Sequence, residues 1–392
     1  AKDPDLDALQ VSDDSLNGIA ALAGYDFETD LNVNILGHIF EQSITDLEAI
    51  RAAIRANTQG GAAERQLSRR KRDGIFYTPD LITRFMVART IGGWLAARLA
   101  VIEARHRTGR PGPLANATSL RIWLDYLEVL GSIKILDLAC GSGAFLVAAF
   151  DYLYAEYERV NRLIAELTGA PRQLGLFDLD RQILQENLYG VDLNPESVEI
   201  TKLSLWLKTA RRDKPLNNLD GNIRCGNSLV EPPAPDSPPA LVAACAALPP
   251  EACPFDWRAA FPAVFARGGF DVVIGNPPYV RQELLGGYKP YLAQRYATFS
   301  GVADLYVYFY ERGLELLAPD GKLSYIVTNK WLRAGYGEPL RRYFSARAEI
   351  EEILDFGHAP IFEDADTFPC ILVAHPRPLA PTNPTALAAP SH

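Results

Sequence analysis

The most distinctive chemical feature of the sequence is an asparagine followed by two prolines and an aromatic residue, Asn276-Pro277-Pro278-Tyr279. The motif directly follows an apolar run at 270–275. Because each proline fixes φ and lacks an N–H, the motif presents rigid carbonyl acceptors beside the Asn side chain. Such a site is suited to accept both hydrogen bonds of an amino group, while Tyr279 offers a flat face for stacking. The plain alternative is a proline-rich turn after a buried strand.

A second candidate site is the glycine loop Gly141-Ser142-Gly143, which separates a short apolar run from an amphipathic helical pattern. Glycines at such a turn let the backbone approach a ligand at the helix N-terminus. The third glycine of the dinucleotide fingerprint is missing, which disfavours a nicotinamide dehydrogenase. An ordinary strand-to-helix turn is the alternative.

A third candidate is Asp192, which ends the next apolar run, 49 positions after Gly143. A carboxylate at this place can accept hydrogen bonds from two ribose hydroxyls. The spacing exceeds the ~20 residues of a dinucleotide binder, and a long helix with an insertion near 165–185 accounts for the excess. An aspartate that caps a helix is the alternative.

The elements that must position these residues alternate between strands and helices from about residue 71 onward. Helices are predicted after Gly143, from Asn194-Pro195-Glu196, and over 305–317, with a turn at Pro319-Asp320-Gly321. Strands are predicted at 133–139, 188–193, 223–225, 270–275, 322–328, 350–356 and 370–374. This alternation predicts an α/β fold with a mostly parallel sheet covered on both faces.

Composition shifts divide the chain into three segments. Residues 1–70 are predicted to form an N-terminal helical segment, because apolar residues recur there with a helical period. Residues 71–375 are predicted to form one α/β domain, and 376–392 a Pro/Ala-rich tail. Surface insertions are predicted near 105–120, 165–185 and 231–262.

Overall composition excludes several classes of protein. Of the 392 residues, 48% are apolar and 22% charged, which is enough apolar surface for a core and excludes general disorder. The longest apolar run, at 240–248, is too short to span a membrane. The five Cys and five His are scattered, which predicts neither a disulfide framework nor a metal site and suits a reducing cytoplasm.

The net charge of −9 argues against a general polyanion binder but leaves room for a local basic groove. A basic run at 65–72 is either a solvated helix face or a phosphate-facing strip. Seven further cations follow the proline motif and the fifth predicted strand: Arg281, Lys289, Arg295, Lys330, Arg333, Arg341 and Arg342. They predict a basic groove at the carboxyl edge of the sheet, with scattered surface charge as the alternative.

Together, the segments DLACGSGAF, YGVDLNP and IGNPPY resemble the motifs of S-adenosylmethionine-dependent amino-methyltransferases. Phe76-Tyr77-Thr78-Pro79 resembles the extra cofactor motif that precedes them in adenine-N6 DNA methylases, and the motif order resembles the gamma class. The segments 34–48, 301–317 and 329–340 resemble the large methylases of type IIG restriction–modification and BREX-like phage-defence systems. This resemblance covers about residues 30–375.

The resemblance implies a Rossmann-like class I methyltransferase fold with a seven-stranded, mostly parallel sheet and S-adenosylmethionine as cofactor. The implied cofactor-binding residues are Tyr77, Thr78, Asp137, Ala139, Gly141, Ser142, Gly143, Phe145, Asp192, Leu193 and Asn227. Asn227 departs from the family, in which many relatives carry Asp, and Leu138 stands where many carry Pro.

The implied reaction is methyl transfer to N6 of an adenine flipped out of double-stranded DNA, without a metal. Asn276, Pro277, Pro278 and Tyr279 are the implied catalytic residues. Tyr279 and Tyr336 are expected to stack on the base, with Trp331 as the alternative to Tyr336. Arg281, Lys289, Lys330 and Arg333 are expected to contact DNA.

In this family a target-recognition domain follows the last strands, so such a domain is expected outside this chain, as is any nuclease domain. A bacterial cytoplasmic location without membrane contact is expected. Three alternatives stay open: methylation of RNA adenine, methylation of a protein glutamine, and a non-catalytic DNA-binding module. A nuclease within the chain is disfavoured, because no convincing PD…ExK arrangement is present.

Overall fold

A seven-stranded sheet organises the part of the chain that the computed structural model describes: residues 78–107, 115–169, 176–209, 218–359, 361 and 368–377. The side chains of 176–178 are not described. The predicted helical segment at 1–70, Tyr77, the basic run at 65–72 and residues 378–392 of the tail lie outside the described residues.

The sheet is mostly parallel. Its strands are β1 (Ile135–Asp137), β2 (Leu188–Asp192), β3 (Ile223–Cys225), β4 (Phe270–Gly275), β5 (Leu317–Thr328), β6 (Ala348–Asp355) and β7 (Pro369–Pro376). They lie in the order β3-β2-β1-β4-β5-β7-β6. The first five run parallel, whereas β7 is antiparallel to both β5 and β6. The predicted Rossmann-like fold with a seven-stranded, mostly parallel sheet is confirmed.

Helices connect the strands, as parallel pairing requires. They are α1 (Asp80–Val87), α2 (Gly93–His106), α3 (Asn116–Ser132), α4 (Ala144–Thr168), α5 (Leu176–Gln182), α6 (Pro195–Thr209), α7 (Pro239–Ala246), α8 (Trp257–Ala260), α9 (Pro262–Ala266), α10 (Lys289–Arg295), α11 (Tyr306–Leu316) and α12 (Glu338–Arg347). π-turns at Ala88–Gly92 and Ile183–Asn187 follow α1 and α5, and 3-10 turns lie at Pro250–Ala252, Gln282–Leu285, Asn329–Leu332 and Gly335–Gly337.

The centre of the sheet is buried on both faces, as shown by β4, all of whose residues are buried. Successive side chains on a strand point to opposite faces. Val272 and Ile274 therefore join a core with residues of α1–α4 and α6, whereas Val273 joins a second core with α11 and α12. This two-sided burial explains why β4 reads as an unbroken apolar run.

An 18-residue window within the helical stretch Asp80–His106 has a mean hydropathy of 1.4, and by length and composition alone the stretch could cross a membrane. The prediction from apolar run length did not identify it, because polar residues interrupt the stretch. Met86, Ile91 and Leu95 on this stretch are buried in the core against the sheet. Its apolar side is therefore the inner side of a core helix.

Strand β5 differs from the prediction, because it begins at Leu317 rather than at Lys322. Phe270 pairs with Leu317, but Val272 pairs with Lys322, so residues 318–321 bulge out of the β4–β5 ladder. The predicted separate turn at 319–321 is thus a bulge within the strand. Helix α2 holds it, since Trp94 Nε1 donates to the Asp320 carbonyl at 3.1 Å.

The segment 231–262, predicted as a surface insertion, is exposed or half-buried over 231–251, whereas three aromatic residues near its end lie in the core. Phe255, Trp257 and Phe261 are buried and pack edge-on or tilted against one another, and Trp257 and Phe261 also contact Phe270 on β4. The apolar side of α7 packs on the same core through Leu241. These aromatic residues show no helical or strand period, which is why the sequence pattern did not reveal their burial.

Candidate active site

The motifs predicted from the sequence converge on one edge of the sheet. Parallel strands bring the carboxyl ends of β1, β2, β4 and β5 to the same edge. There, β2 lies on one side of β1 and β4 on the other. A crevice forms where the connections diverge in this way, and ligands of open α/β sheets bind there. The loops at this crevice are 138–143, 193–194, 276–281 and 329–337.

The glycine loop is held tightly against α6. Gly141 and Gly143 have φ values of 53° and 86°, in the left-handed region that favours glycine. A Cβ on Gly143 would lie 3.0 Å from Thr201 Cγ2 and 3.3 Å from Thr201 Cα. Thr201 Oγ1 also donates to the Gly141 carbonyl at 2.8 Å. Thr201 was missed from the sequence, because a lone threonine inside a helix carries no signal.

Asp192 ties the glycine loop to the start of α6. Its Oδ2 accepts a hydrogen bond from the Gly141 N–H at 2.9 Å, and its Oδ1 accepts one from the Asn194 N–H at 2.9 Å. Asn194 in turn accepts from the Glu196 N–H at 2.8 Å, so Asn194 is the residue that caps α6. Burial raises the pKa of Asp192. Each carboxylate oxygen has a second lone-pair direction, with which Asp192 can accept from ribose hydroxyls.

The end of β2 also brings Leu193 and Asn227, two residues predicted to bind the cofactor, close to Asp192. Asp192 pairs in register with Cys225, two residues before Asn227. Leu193 is 49% exposed, and Asn227 Oδ1 accepts from the Leu229 N–H at 3.1 Å. An apolar side chain and an amide therefore stand at the edge of the sheet beside the carboxylate.

The remaining residues predicted to bind the cofactor differ in their surroundings. Ala139 is half-buried in the loop, and Ser142 is buried there. Phe145 does not join them at the edge, because its side chain packs inside the core beneath α4. Its contribution to a ligand site is therefore limited to its backbone at the helix N-terminus.

Asp137 joins the loop after β1 to the end of β4. Its Oδ1 accepts from the Ala139 N–H at 3.0 Å, and a Cβ on Gly275 would lie 2.7 Å from the same oxygen. Only glycine fits at 275 with the carboxylate in this position. Burial raises the pKa of Asp137 to about 7, although the bond from Ala139 opposes the shift.

We expect the pKa of Asp137 to make stability depend on pH. Between its ordinary 3.8 and about 7, the folded chain holds a proton that the unfolded chain has released. Stability therefore falls as pH rises through this window, by up to about 1.4 kcal/mol per pH unit. Urea unfolding at pH 5 and pH 7 tests this: the wild type is expected to lose about 2 kcal/mol relative to Asp137→Asn. A variant at an exposed aspartate, Asp236→Asn, should follow the wild-type curve; an equal slope in Asp137→Asn would contradict the assignment.

The proline motif begins where β4 ends, and its asparagine is held from a distant part of the chain. Asn276 Nδ2 donates to Thr78 Oγ1 at 3.1 Å. Thr78 is buried at the residue before Pro79, which precedes α1. This bond fixes the amide orientation of Asn276 and so determines where its acceptor oxygen lies. Pro277 is buried and Pro278 half-buried, which holds the backbone of the motif in place.

Tyr279 belongs to a group of three tyrosines. Its hydroxyl donates to the Ile326 carbonyl on β5 at 3.2 Å, and the edge of one ring faces the other in the Tyr279–Tyr306 pair, at 6.4 Å and 86°. The hydroxyls of Tyr306 and Tyr336 share a hydrogen bond of 2.9 Å. Burial raises the pKa of all three phenols, so they stay neutral. Tyr306 was missed, because in the sequence it reads only as one aromatic residue in a helix.

Trp331 does not serve the role considered for it as an alternative to Tyr336. It is 2% exposed and packs against Tyr310 and Phe344. Arg341 Nη1 donates to the carbonyls of Trp331 and Ala334 at 2.6 and 3.0 Å. Trp331 and Arg341 therefore shape the loop that carries the half-buried Tyr336.

The seven cations predicted to form a basic groove differ in their partners. Arg295 pairs with Glu315 and Glu231, Arg342 forms an exposed pair with Glu338, and Arg341 donates to backbone carbonyls. Lys289 Nζ donates to Gln282 Oε1 at 2.6 Å. Of the seven predicted cations, Arg281, Lys330 and Arg333 are exposed and form no ion pair with any described residue. The partners of Arg295 and Arg341 within the chain leave less of their charge for a ligand, and the basic groove stays a prediction.

The residue types that commonly bind metal ions are dispersed over the described part of the chain. Among the residues that the structure describes, no three side chains of His, Cys, Asp and Glu are grouped so as to hold a metal ion. All five cysteines are free thiols. The polar groups at the crevice are backbone amides, two buried carboxylates, an amide and phenols, which suit an organic ligand with amino and hydroxyl groups.

Comparison with known proteins finds similarity to restriction-modification methylases. Residues 186–362 match the family model described as "Eco57I restriction-modification methylase". The type II restriction enzyme and methyltransferase RM.Eco57I of Escherichia coli is 28% identical over 267 residues, which cover 63% of this chain and 25% of that protein. The type II methyltransferase M.XhoI of Xanthomonas vasicola is 41% identical over 123 residues, 30% of this chain and 22% of that protein.

Two further similarities agree with this match. The adenine-specific methyltransferase PglX of Streptomyces coelicolor is 26% identical over 254 residues, 58% of this chain and 19% of that protein. The solved structure of the type IIL restriction-modification enzyme MmeI in complex with DNA has the same fold, with a TM-score of 0.51 at 17% identity over 78% of this chain and 38% of that one. The chain spans about a quarter of the length of the E. coli relative. Over these regions, the chain is similar to Eco57I-type restriction-modification methylases.

Proposed function

We propose that this chain transfers a methyl group from S-adenosylmethionine to N6 of an adenine in double-stranded DNA, as the modification core of a restriction–modification or phage-defence enzyme. The observation that carries the proposal is the Asn276 amide, fixed by Thr78 at the carboxyl end of β4. Asn276 directly follows Gly275, and Gly275 packs against the carboxylate of Asp137, which lies at the end of β1 before the glycine loop. An acceptor for an amino group and a nucleotide-type loop thus share one crevice.

The residues of the crevice fit S-adenosylmethionine. The left-handed glycines of the loop press the backbone close to α6, and the Asp192 carboxylate can bind ribose beside Leu193 and Asn227. Thr78, Asp137 and the N-terminal amides of α4 would hold the methionine part, together with Ala139 and Ser142. When bound, the cofactor supplies a methyl group already activated by its sulfonium.

The chain's own contribution is to orient and activate the amine. The lone pair of adenine N6 is delocalised into the ring, which makes the amine a poor nucleophile. Asn276 Oδ1 and the Pro277 carbonyl would accept its two N–H bonds and localise the lone pair toward the cofactor. Positioning and electrostatic stabilisation of this kind supply most of the rate in such a reaction.

Tyr279 would stack on the adenine once the base has left the duplex. The hydroxyl of Tyr279 is anchored on β5 and its ring meets Tyr306 edge to face, so little side-chain freedom remains to be lost. Base–aromatic stacking stabilises by about 1–3 kcal/mol, similar to the few kcal/mol that flipping costs. Tyr336, bonded to Tyr306, is proposed as the second aromatic wall.

DNA is the proposed partner because exposed cations surround this pocket. Arg281 follows the catalytic motif by two residues, and Lys330 and Arg333 follow β5. The relative named adenine-specific supports adenine as the base, and the relatives named as restriction enzymes support a defence role. Target recognition and DNA cleavage are proposed to belong to parts of such enzymes beyond this domain.

Thr78→Val tests the proposed positioning role of Thr78. Valine keeps the shape but removes the Thr78 hydroxyl that accepts from the Asn276 amide, and the loss of such a hydrogen bond costs about 1–3 kcal/mol for a buried group. We expect kcat to fall about tenfold, and KM for the cofactor to rise as well, because Thr78 is also proposed to hold the methionine part. Thr78→Ser keeps the hydroxyl and should retain most of the activity. A raised KM with unchanged kcat would instead assign Thr78 to cofactor binding alone.

The proposed reaction is tested by methyl transfer from labelled S-adenosylmethionine. Unmethylated duplex DNA, RNA and protein are offered separately, and the digested DNA is analysed for nucleosides by mass. N6-methyladenine in DNA is the expected product. Label in RNA, in protein glutamine or on cytosine would overturn the assigned substrate, and cofactor binding without transfer to any substrate would overturn the reaction.

A further inference from the structure

We propose that Leu284 and Val302 form an apolar wedge that enters the DNA duplex at the step vacated by the target base; this inference rests on the proposed function and extends it to base extrusion. The two side chains are 51% and 60% exposed. Both lie on turns next to the group of tyrosines, whereas the other exposed large apolar residues of the described part lie elsewhere: Leu81, Val101, Leu124, Leu193, Val242, Ile350 and Ile353.

Each wedge residue is presented by a short, well-anchored turn. Leu284 lies in the 3-10 turn Gln282–Leu285, where its neighbour Leu285 is buried and fixes the turn to the core. Val302 lies near the tip of a turn closed by a bond from the Ala303 N–H to the Ser300 carbonyl at 3.0 Å. Exposed aliphatic side chains on rigid turns suit insertion into a partner better than flexible loops do.

The two turns are held side by side. The Gln282 N–H donates to Asp304 Oδ1 at 3.1 Å, and the Leu305 N–H donates to the Val280 carbonyl at 3.0 Å. One of these segments continues from Tyr279, and the other leads into Tyr306 at the start of α11. The wedge therefore stands beside the aromatic wall on which the extruded base would stack.

The charged residues around the wedge favour a polyanionic partner, and the wedge itself favours a partner with an apolar interior. Arg281, Lys289 and Lys330 carry positive charge there against Glu283 and Asp304. Arg281 and Lys330 are exposed and form no ion pair with any described residue. A DNA duplex offers phosphates to such cations and a stacked, apolar interior to the leucine and valine.

The physical role of the wedge is to occupy the gap left by extrusion. A flipped base removes stacking from both neighbours, and apolar side chains inserted between base steps recover part of that contact. The wedge thus lowers the free energy of the extruded state. Its effect should be large when the target adenine is paired and small when the adenine is already unpaired.

The test compares a fully paired duplex with one in which the target adenine faces an abasic site. For the double variant Leu284→Ala/Val302→Ala, the single-turnover methylation rate on the paired duplex is expected to fall about tenfold, and on the unpaired one less than twofold. Both residues are exposed, so the variant should fold like the wild type. Val242→Ala, an exposed valine on α7, is the matched control and should change neither rate.

A residue that contacts phosphate is expected to respond differently from the wedge in this comparison of the two duplexes. Arg281→Ala should weaken binding to both duplexes alike and reduce the salt dependence of binding. Equal losses on the two duplexes for the double variant, or no loss on either, would overturn the wedge. If the wild type transfers no methyl to DNA, the proposed function fails. The wedge is then judged separately, by the affinities of wild type and variant for the paired and unpaired duplexes.

Discussion

Replacing Asn276 by alanine is expected to reduce kcat for methyl transfer by about 10²–10³-fold, the usual effect of removing one preorganised hydrogen-bonding group from an active site. The alanine cannot accept an N–H from the amine, so the lone pair stays delocalised and the amine is no longer aimed at the methyl donor. Asn276 is not among the residues proposed to hold the cofactor, so the cofactor Kd should stay within about threefold. Stopped-flow single turnover together with calorimetric cofactor binding measures both quantities.

The matched control for this change is Asn116→Ala, at an exposed asparagine that begins α3, away from the strand edge. It should leave both quantities unchanged. Near-normal turnover in Asn276→Ala would contradict its assignment, and a loss of cofactor binding with turnover preserved at saturation would move Asn276 into the cofactor site.

Replacing Asp192 by alanine is expected to weaken cofactor binding by at least about 100-fold, because a charged acceptor contributes about 1.5–3 kcal/mol to each hydrogen bond it accepts. Two ribose hydroxyls would lose their acceptor. The Gly141 and Asn194 amides would lose theirs as well, so the glycine loop would loosen from the start of α6. Asp192→Asn should not rescue binding, because its amide nitrogen would face one of these N–H donors.

Titration calorimetry with S-adenosylmethionine measures this effect, and Asp236→Ala, at an exposed aspartate, is the matched control. Thermal unfolding separates loss of binding from loss of fold, since the core strands do not depend on the carboxylate. Unchanged affinity in a folded Asp192→Ala chain would leave Asp192 with only its structural role between the two loops.

Much of the fold was predictable because glycine, proline and helix-capping residues stand at the ends of strands and helices. Strand β4 was predicted to the residue, between Gly269 and the proline motif, and β3 was also predicted to the residue. The helix start at Asn194 was predicted from its capping pattern and is confirmed. In each case a local rule determines the structure, since φ, capping and alternation act over a few residues.

What could not be predicted depends on partners distant in the chain. Arg295 and Arg341 read as groove cations until their acceptors are known, and nothing in the sequence marks Glu315 or the Ala334 carbonyl as those acceptors. The bulge in β5 depends on how many residues pair with β4, which has no local signature. Phe255 is buried by tertiary packing that overrides a segment rich in proline and alanine.

The hydrogen bond between Asn276 and Thr78 spans 198 positions in the chain, and it has a consequence for how activity is acquired during folding. Loops of this length must close before their contacts stabilise anything, so such contacts form late. The parallel β1–β4 pair on which the bond depends is non-local as well. We therefore expect recovery of catalysis after dilution from denaturant to lag behind recovery of helical circular dichroism, with a species that is compact, largely helical and still inactive populated in between.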